Sequence, residues 1–183
     1  MIPVNRPVIT KIDAKSVYNA AKSGWISSGG PQIKIFENNF KKFIGKNYAS
    51  TVTSGTAALE ISLKCLNLKK NDEVIIPNFT IISNALAVIK QNATPVPIDC
   101  DLKTWNMDIN LLKKSITKKT KAIIATHIYG YPLEIDIIKK ICKKKKIFLI
   151  EDVCESHGAN YLKKKCGTFG LASNFSFYYA HHM

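Results

Sequence analysis

The chain has 183 residues, 46% of them hydrophobic and 22% charged, which allows a sizeable core and excludes the composition of a disordered chain. Its formal net charge of +14 raises a nucleic-acid partner as a first idea. Against it stand a single arginine, Arg6, where bidentate base and phosphate contacts favour arginine, and lysines spread over nearly every segment.

Residues 1–30 read as an irregular lead with a short helix near Asp13 to Lys22. It closes in the turn-rich Gly24-Trp25-Ile26-Ser27-Ser28-Gly29-Gly30-Pro31. Ile33, Phe36, Phe40, Phe43 and Ile44 then recur at helical spacing up to Gly45, and the aromatics are expected in the core. From Tyr48 the pattern alternates. Strands are expected at Ala49–Thr53, Glu73–Pro77, Thr94–Asp99, Lys121–Ile128, Ile147–Asp152 and Ser173–Phe177. Helices are expected at Thr56–Leu68, Ile82–Lys90, Asp108–Ser115 and Glu134–Lys145, the last ending in the run Lys143 to Lys146, where cations suit the helix dipole. Such alternation predicts an α/β fold with a mostly parallel sheet. The chain stops after Phe175-Ser176-Phe177-Tyr178-Tyr179-Ala180-His181-His182-Met183 with no closing helix, so a truncated domain is expected.

The cysteines at 65, 100, 142, 154 and 166 form no C-x-x-C pair and no zinc spacing. Without a signal peptide they read as reduced thiols in a cytoplasmic protein. No apolar stretch approaches the roughly 20 residues of a bilayer span. No Walker A or G-x-G-x-x-G motif is present.

Three constellations could carry chemistry. Thr53-Ser54-Gly55-Thr56-Ala57-Ala58-Leu59 joins a strand end to a helix start, a place for a phosphate or simply an N-cap at Ser54. Phe148-Leu149-Ile150-Glu151-Asp152 brings a carboxylate to the carboxyl end of a strand, where open parallel sheets bind ligands; Asp152 could face a pyridine nitrogen and Glu155 a ring hydroxyl, or both could be ordinary turn acids. Ser176 with His181 and His182 offers a phosphate contact and a base that titrates near neutrality, or a disordered end. None of this matches a metal motif, and no metal is expected.

Taken together, Trp25-Ile26-Ser27-Ser28-Gly29, Ser54-Gly55-Thr56-Ala57-Ala58-Leu59, Asp72-Glu73-Val74-Ile75-Ile76-Pro77, Ala93-Thr94-Pro95-Val96, Thr104-Trp105-Asn106-Met107-Asp108, His127-Ile128-Tyr129-Gly130, Glu151-Asp152, Glu155-Ser156-His157-Gly158-Ala159 and Phe175-Ser176-Phe177 resemble the DegT/DnrJ/EryC1/StrS sugar aminotransferase family. The Trp-Ile-Ser-Ser-Gly and Trp-Asn-Met-Asp pieces are most similar to its perosamine synthase branch. The resemblance implies a fold type I, three-layer αβα large domain over residues 31–183, incomplete before the C-terminal domain. Residues 1–30 would be an arm and active-site loop. It implies pyridoxal 5'-phosphate or pyridoxamine 5'-phosphate as cofactor, held by Ser54, Gly55, Thr56 and Ser176 at its phosphate, by Asp152 at the pyridine nitrogen and by Glu155 near the hydroxyl. Trp25, Ser27 and Ser28 would touch the substrate. The implied partners are a nucleotide sugar, an amino donor such as glutamate and a second copy of the chain in a homodimer, with neither nucleic acid nor membrane. The setting would be polysaccharide or deoxysugar biosynthesis.

Two positions depart from the family pattern. Ile81 stands where relatives carry an aromatic residue stacked on the cofactor ring. His181 stands where they carry the lysine that bonds the cofactor covalently, and imidazole has no primary amine. A histidine there resembles the branch that uses pyridoxamine phosphate to remove the 3-hydroxyl of a 4-keto-6-deoxy nucleotide sugar. His181 and Glu155 are thus the implied catalytic pair. The alternatives are a perosamine-synthase-like 4-aminotransferase and a noncatalytic remnant.

Overall fold

A computed structural model describes residues 7–181; Arg6, His182 and Met183 lie outside the described residues. The chain divides into two compact units, Met1–Thr51 and Val52–Met183.

The first unit holds two helices. Helix α1 (Lys11–Lys22) starts in a capping box, Thr10 and Asp13 each satisfying the other's backbone N–H. Helix α2 (Pro31–Ile44) has proline in its first turn and ends at Gly45 in the left-handed conformation (φ 82°). The aromatics of α2 are not the core that their spacing predicts. Phe36 and Phe43 are 39% and 48% exposed, and only Ile44 of this helix is buried. A two-helix unit has too little surface to enclose an aromatic row, and α1 itself buries no residue. The strand expected at Ala49–Thr53 is also absent. The Thr51 N–H, which a ladder would use, donates instead to the Glu37 carboxylate at 2.7 Å.

The second unit is a three-layer αβα sandwich. Its strands are β1 (Glu73–Pro77), β2 (Thr94–Ile98), β3 (Thr120–Thr126), β4 (Phe148–Asp152), the short hairpin β5 (Asn160–Tyr161) and β6 (Lys164–Lys165), and β7 (Ala172–Asn174). The main sheet runs β2-β1-β3-β4-β7 and is parallel throughout. The helices are α3 (Gly55–Lys64), α4 (Ser83–Ile89), α5 (Ile109–Ser115) and α6 (Ile135–Lys145).

Alternation along the strands builds two cores. Ile75, Ile123, Ala125 and Leu149 face one side and pack with Leu112, Ile135, Ile138 and Cys142 of α5 and α6. Val74, Ile76, Ala122, Ile124 and Ile150 face the other and pack with Leu59, Leu63, Ala87 and Val88 of α3 and α4. Burial on both faces explains why these strands read as continuous apolar runs. Pro95 and Pro97, which lack the N–H that a ladder needs, sit in β2 at the sheet edge.

Several boundaries differ from the sequence expectation: α3 ends at Lys64 rather than Leu68, and β3 at Thr126 rather than Ile128. The last strand is Ala172–Asn174 rather than Ser173–Phe177, because pairing to β4 covers only Ile150 to Asp152. The β5/β6 hairpin carries no alternating apolar pattern and was not predicted. Among the described residues no helix is long and apolar enough to cross a membrane, and no cluster of His, Cys, Asp and Glu could hold a metal ion.

Candidate active site

The chain leaves β1 for β2 on one side and returns to β3 on the other, so the strand order reverses between β1 and β3. At such a reversal the carboxyl ends of the strands leave a crevice. Several of the residues singled out above gather at this edge.

Ser54 caps α3, its hydroxyl accepting the Ala57 N–H at 3.1 Å. The N–H groups of Gly55 and Thr56 belong to the first turn and have no intrahelical acceptor. Gly55 is the point of closest approach. A Cβ there would stand 3.0 Å from Cys154 Sγ and 3.0 Å from Ser176 Cβ. Only a residue without a side chain lets the start of α3 reach both the loop after β4 and the segment after β7. The Thr56 hydroxyl lies 2.9 Å from that of Ser83, tying this turn to α4.

Asp152 closes β4 and is 8% exposed. Its Oδ1 accepts the Cys154 N–H at 3.2 Å, its carbonyl accepts the His127 N–H at 3.1 Å, and its carboxylate also accepts the Cys154 thiol. Burial, then the charge of Asp152, pushes the Cys154 thiol well above its ordinary range, so it stays protonated. Glu155 accepts the Tyr129 N–H at 3.0 Å. Tyr129 holds φ 48°, ψ 34°, a left-handed conformation that a bulky residue rarely adopts.

Ser176 is buried, and its Oγ accepts the Tyr178 N–H at 3.3 Å, which leaves the hydroxyl proton free to donate. His181 packs edge-on against Tyr178, and its Nδ1 is buried without a hydrogen-bond partner. His157 lies between Phe175 and Phe177 with neither ring nitrogen paired; burial, then the neighbouring His181 charge, lowers its pKa to about 4.

Behind the crevice, Glu151 is fully buried. Burial alone would raise its pKa, but hydrogen bonds from His127 and from the Gly170 and Gly167 N–H groups outweigh that and hold it below the ordinary carboxylate value. Neither Glu151 nor Cys154 was picked out for a role from sequence. Both looked like neighbours of Asp152, and their contacts come from residues distant along the chain.

The structure thus brings Ser54, Gly55, Thr56, Cys154 and Ser176 into one neighbourhood, with Asp152 and Glu155 on the strand end and loop beside it. Trp25, Ser27 and Ser28 lie on an exposed turn of the first unit. Ile81 is 50% exposed; the aromatic group near the strand ends is instead Phe79, with ring centroids 5.1 Å from Trp105 and 6.1 Å from Tyr129.

Comparison with known proteins matches residues 7–183 to the DegT/DnrJ/EryC1/StrS aminotransferase family. GDP-perosamine synthase of Escherichia coli O157:H7 is 41% identical over 97% of this chain and 49% of its own length. GDP-4-keto-6-deoxy-D-mannose 3-dehydratase of Yersinia pseudotuberculosis is 36% identical over 84% of this chain and 41% of its own length. Among solved structures, the E coli GDP-4-keto-6-deoxy-D-mannose-3-dehydratase with bound hydrated PLP aligns with a TM-score of 0.94 at 33% identity, covering 99% of this chain and 48% of that one. The chain belongs to the DegT/DnrJ/EryC1/StrS family and has the fold type I architecture of its aminotransferases. It spans about half the length of the relatives it matches.

Proposed function

We propose that this chain carries the cofactor-binding part of a vitamin B6-dependent enzyme acting on a 4-keto-6-deoxy nucleotide sugar, in the biosynthesis of deoxysugars and polysaccharides. The observation that carries this reading is the cradle at Gly55, which a Cβ would fill, set between the start of α3 and Ser176. Such a cradle suits a phosphate ester: unpaired helix N–H groups, hydroxyls and a positive dipole end all meet there. Ser54, Gly55, Thr56 and Ser176 would hold the phosphate of pyridoxal or pyridoxamine phosphate.

Asp152 presents its carboxylate at the end of β4 in a buried setting, which suits a protonated ring nitrogen. When bound, the cofactor supplies an electron sink for carbanion chemistry at the substrate. Glu155, steered by the Tyr129 N–H, would stand near the ring hydroxyl. His181, with Nδ1 unpaired, takes and returns a proton at that atom. Trp25, Ser27 and Ser28 would contact the sugar nucleotide, a homodimer would complete the site, and glutamate would be the amino donor.

The imidazole at position 181 favours removal of the sugar's 3-hydroxyl over amino transfer, since imidazole cannot bond the cofactor aldehyde as an amine does. The second reading is 4-amino transfer, favoured by the similarity to GDP-perosamine synthase. Incubation with pyridoxamine phosphate, glutamate and a 4-keto-6-deoxy nucleotide sugar, with mass analysis of the product, separates the two. A 3-deoxy product supports the first; a 4-amino product retaining its 3-hydroxyl supports the second.

A further inference from the structure

We propose that Glu151 is a positioning residue for this site: its buried carboxylate fixes two loops at once and so sets where Glu155 and Ser176 stand. The proposal takes the purpose of the site from the cofactor reading above, but the network exists independently of it.

Each carboxylate oxygen is fully engaged. Oε1 accepts the N–H groups of Phe169 at 2.7 Å and Gly170 at 2.6 Å. Oε2 accepts the Gly167 N–H at 2.8 Å and faces His127 Nε2 at 3.3 Å. The tautomer of His127 follows from its other nitrogen. Nδ1 accepts the Leu133 N–H at 3.0 Å, so the ring proton sits on Nε2 and points at Glu151.

On one side the network closes the loop from His127 to Leu133. The His127 carbonyl accepts the Ser156 hydroxyl at 2.5 Å, and Asn106 accepts the Ile128 N–H and donates to the Tyr131 carbonyl. Tyr129, held left-handed within that loop, is the donor that orients Glu155.

On the other side Glu151 draws in the turn from Gly167 to Gly170. Gly167 has φ +93°, and a Cβ there would stand 2.6 Å from the Phe175 ring; one on Gly170 would stand 2.7 Å from the Leu149 carbonyl. The turn is therefore pressed onto β4 and onto the residue just before Ser176. Replacing one carboxylate oxygen by an NH2 group, as Glu151→Gln does, aims that group at two donors whichever way the amide lies, and leaves them unpaired.

The test uses the 183-residue chain as wild type, Glu151→Gln and His127→Gln. Amide NMR is recorded, and pyridoxal phosphate affinity is measured by fluorescence on the same samples. The expected result is a dispersed spectrum in which the Tyr129 and Ser176 amide signals move along with those of Gly167 and Gly170. Affinity should fall by about 10-fold or more, the usual scale for losing a supporting partner. Two results overturn the proposal. One is that the Tyr129 and Ser176 signals keep their wild-type positions; the other is that both variants lose dispersion, which makes Glu151 a general stability element. If the wild-type chain takes up no pyridoxal phosphate, the cofactor reading fails, while the Tyr129 and Ser176 signals still decide this claim.

Discussion

Gly55 and Ser176 approach so closely that a Cβ on the glycine would stand 3.0 Å from the serine's own Cβ and 3.5 Å from its hydroxyl. The contact joins residues 121 positions apart in sequence (176 − 55 = 121). Gly55→Val should therefore push α3 away from the segment after β7. Overpacking of this kind costs about 1–3 kcal/mol. For a chain of this size that lowers the melting temperature by roughly 2–4 °C per kcal/mol. Thermal melting checks the packing, and pyridoxal phosphate titration, expected to lose saturation, checks the cradle.

His181→Lys should let the chain bond pyridoxal phosphate covalently, because a primary amine then stands where imidazole stood. Borohydride treatment followed by peptide mass analysis should find the cofactor attached at position 181. No attachment there would remove His181 from the site.

How much of this was visible in the sequence depends on the kind of contact. β1 and β3 stood out because strands buried on both faces are apolar along their centres, as Val74-Ile75-Ile76 and Ile123-Ile124-Ala125 are. The caps at Ser54 and Asp108 are local and follow from residue type. The Ala49–Thr53 stretch has strand character, but no ladder forms there and Thr51 turns to Glu37. The aromatic row of α2 signals an apolar face truthfully, but not what covers it. In the candidate site, Asp152 was legible as an acid at a strand end. The convergence of Cys154 and Ser176 on Gly55, and of three backbone N–H groups on Glu151, was not, because spacing along a chain does not encode which loops meet.

Acid should destabilise the chain through His157. Its folded pKa, about 4, lies below the model-compound value of 6.5, so the unfolded state binds more protons between those limits. Stability therefore falls as pH drops from 6.5 toward 4. Glu151, with its pKa held below 4.5, adds a loss of the same sign at lower pH, as its carboxylate protonates. Melting temperature against pH should show this slope, and His157→Gln should flatten it above pH 4.5. An unchanged slope would show that other groups carry the dependence.

Cys154 should resist alkylation. Burial and the Asp152 charge keep its thiol protonated, whereas Cys65 is exposed. Iodoacetamide labelling at pH 8, read by mass spectrometry, should modify Cys65 first. Asp152→Asn should speed labelling of Cys154, since the Asp152 charge, the largest cause after burial of the suppressed thiolate, is removed.

The most direct measurement is titration of the chain with pyridoxal phosphate and pyridoxamine phosphate, as wild type and as Asp152→Ala, followed by fluorescence. Saturable binding is expected in the wild type. It should weaken by roughly 10- to 100-fold in the variant, the loss of one charge-assisted hydrogen bond of about 1.5–3 kcal/mol. Equal affinity in the two proteins, or no saturable binding in either, would contradict the assignment of this site.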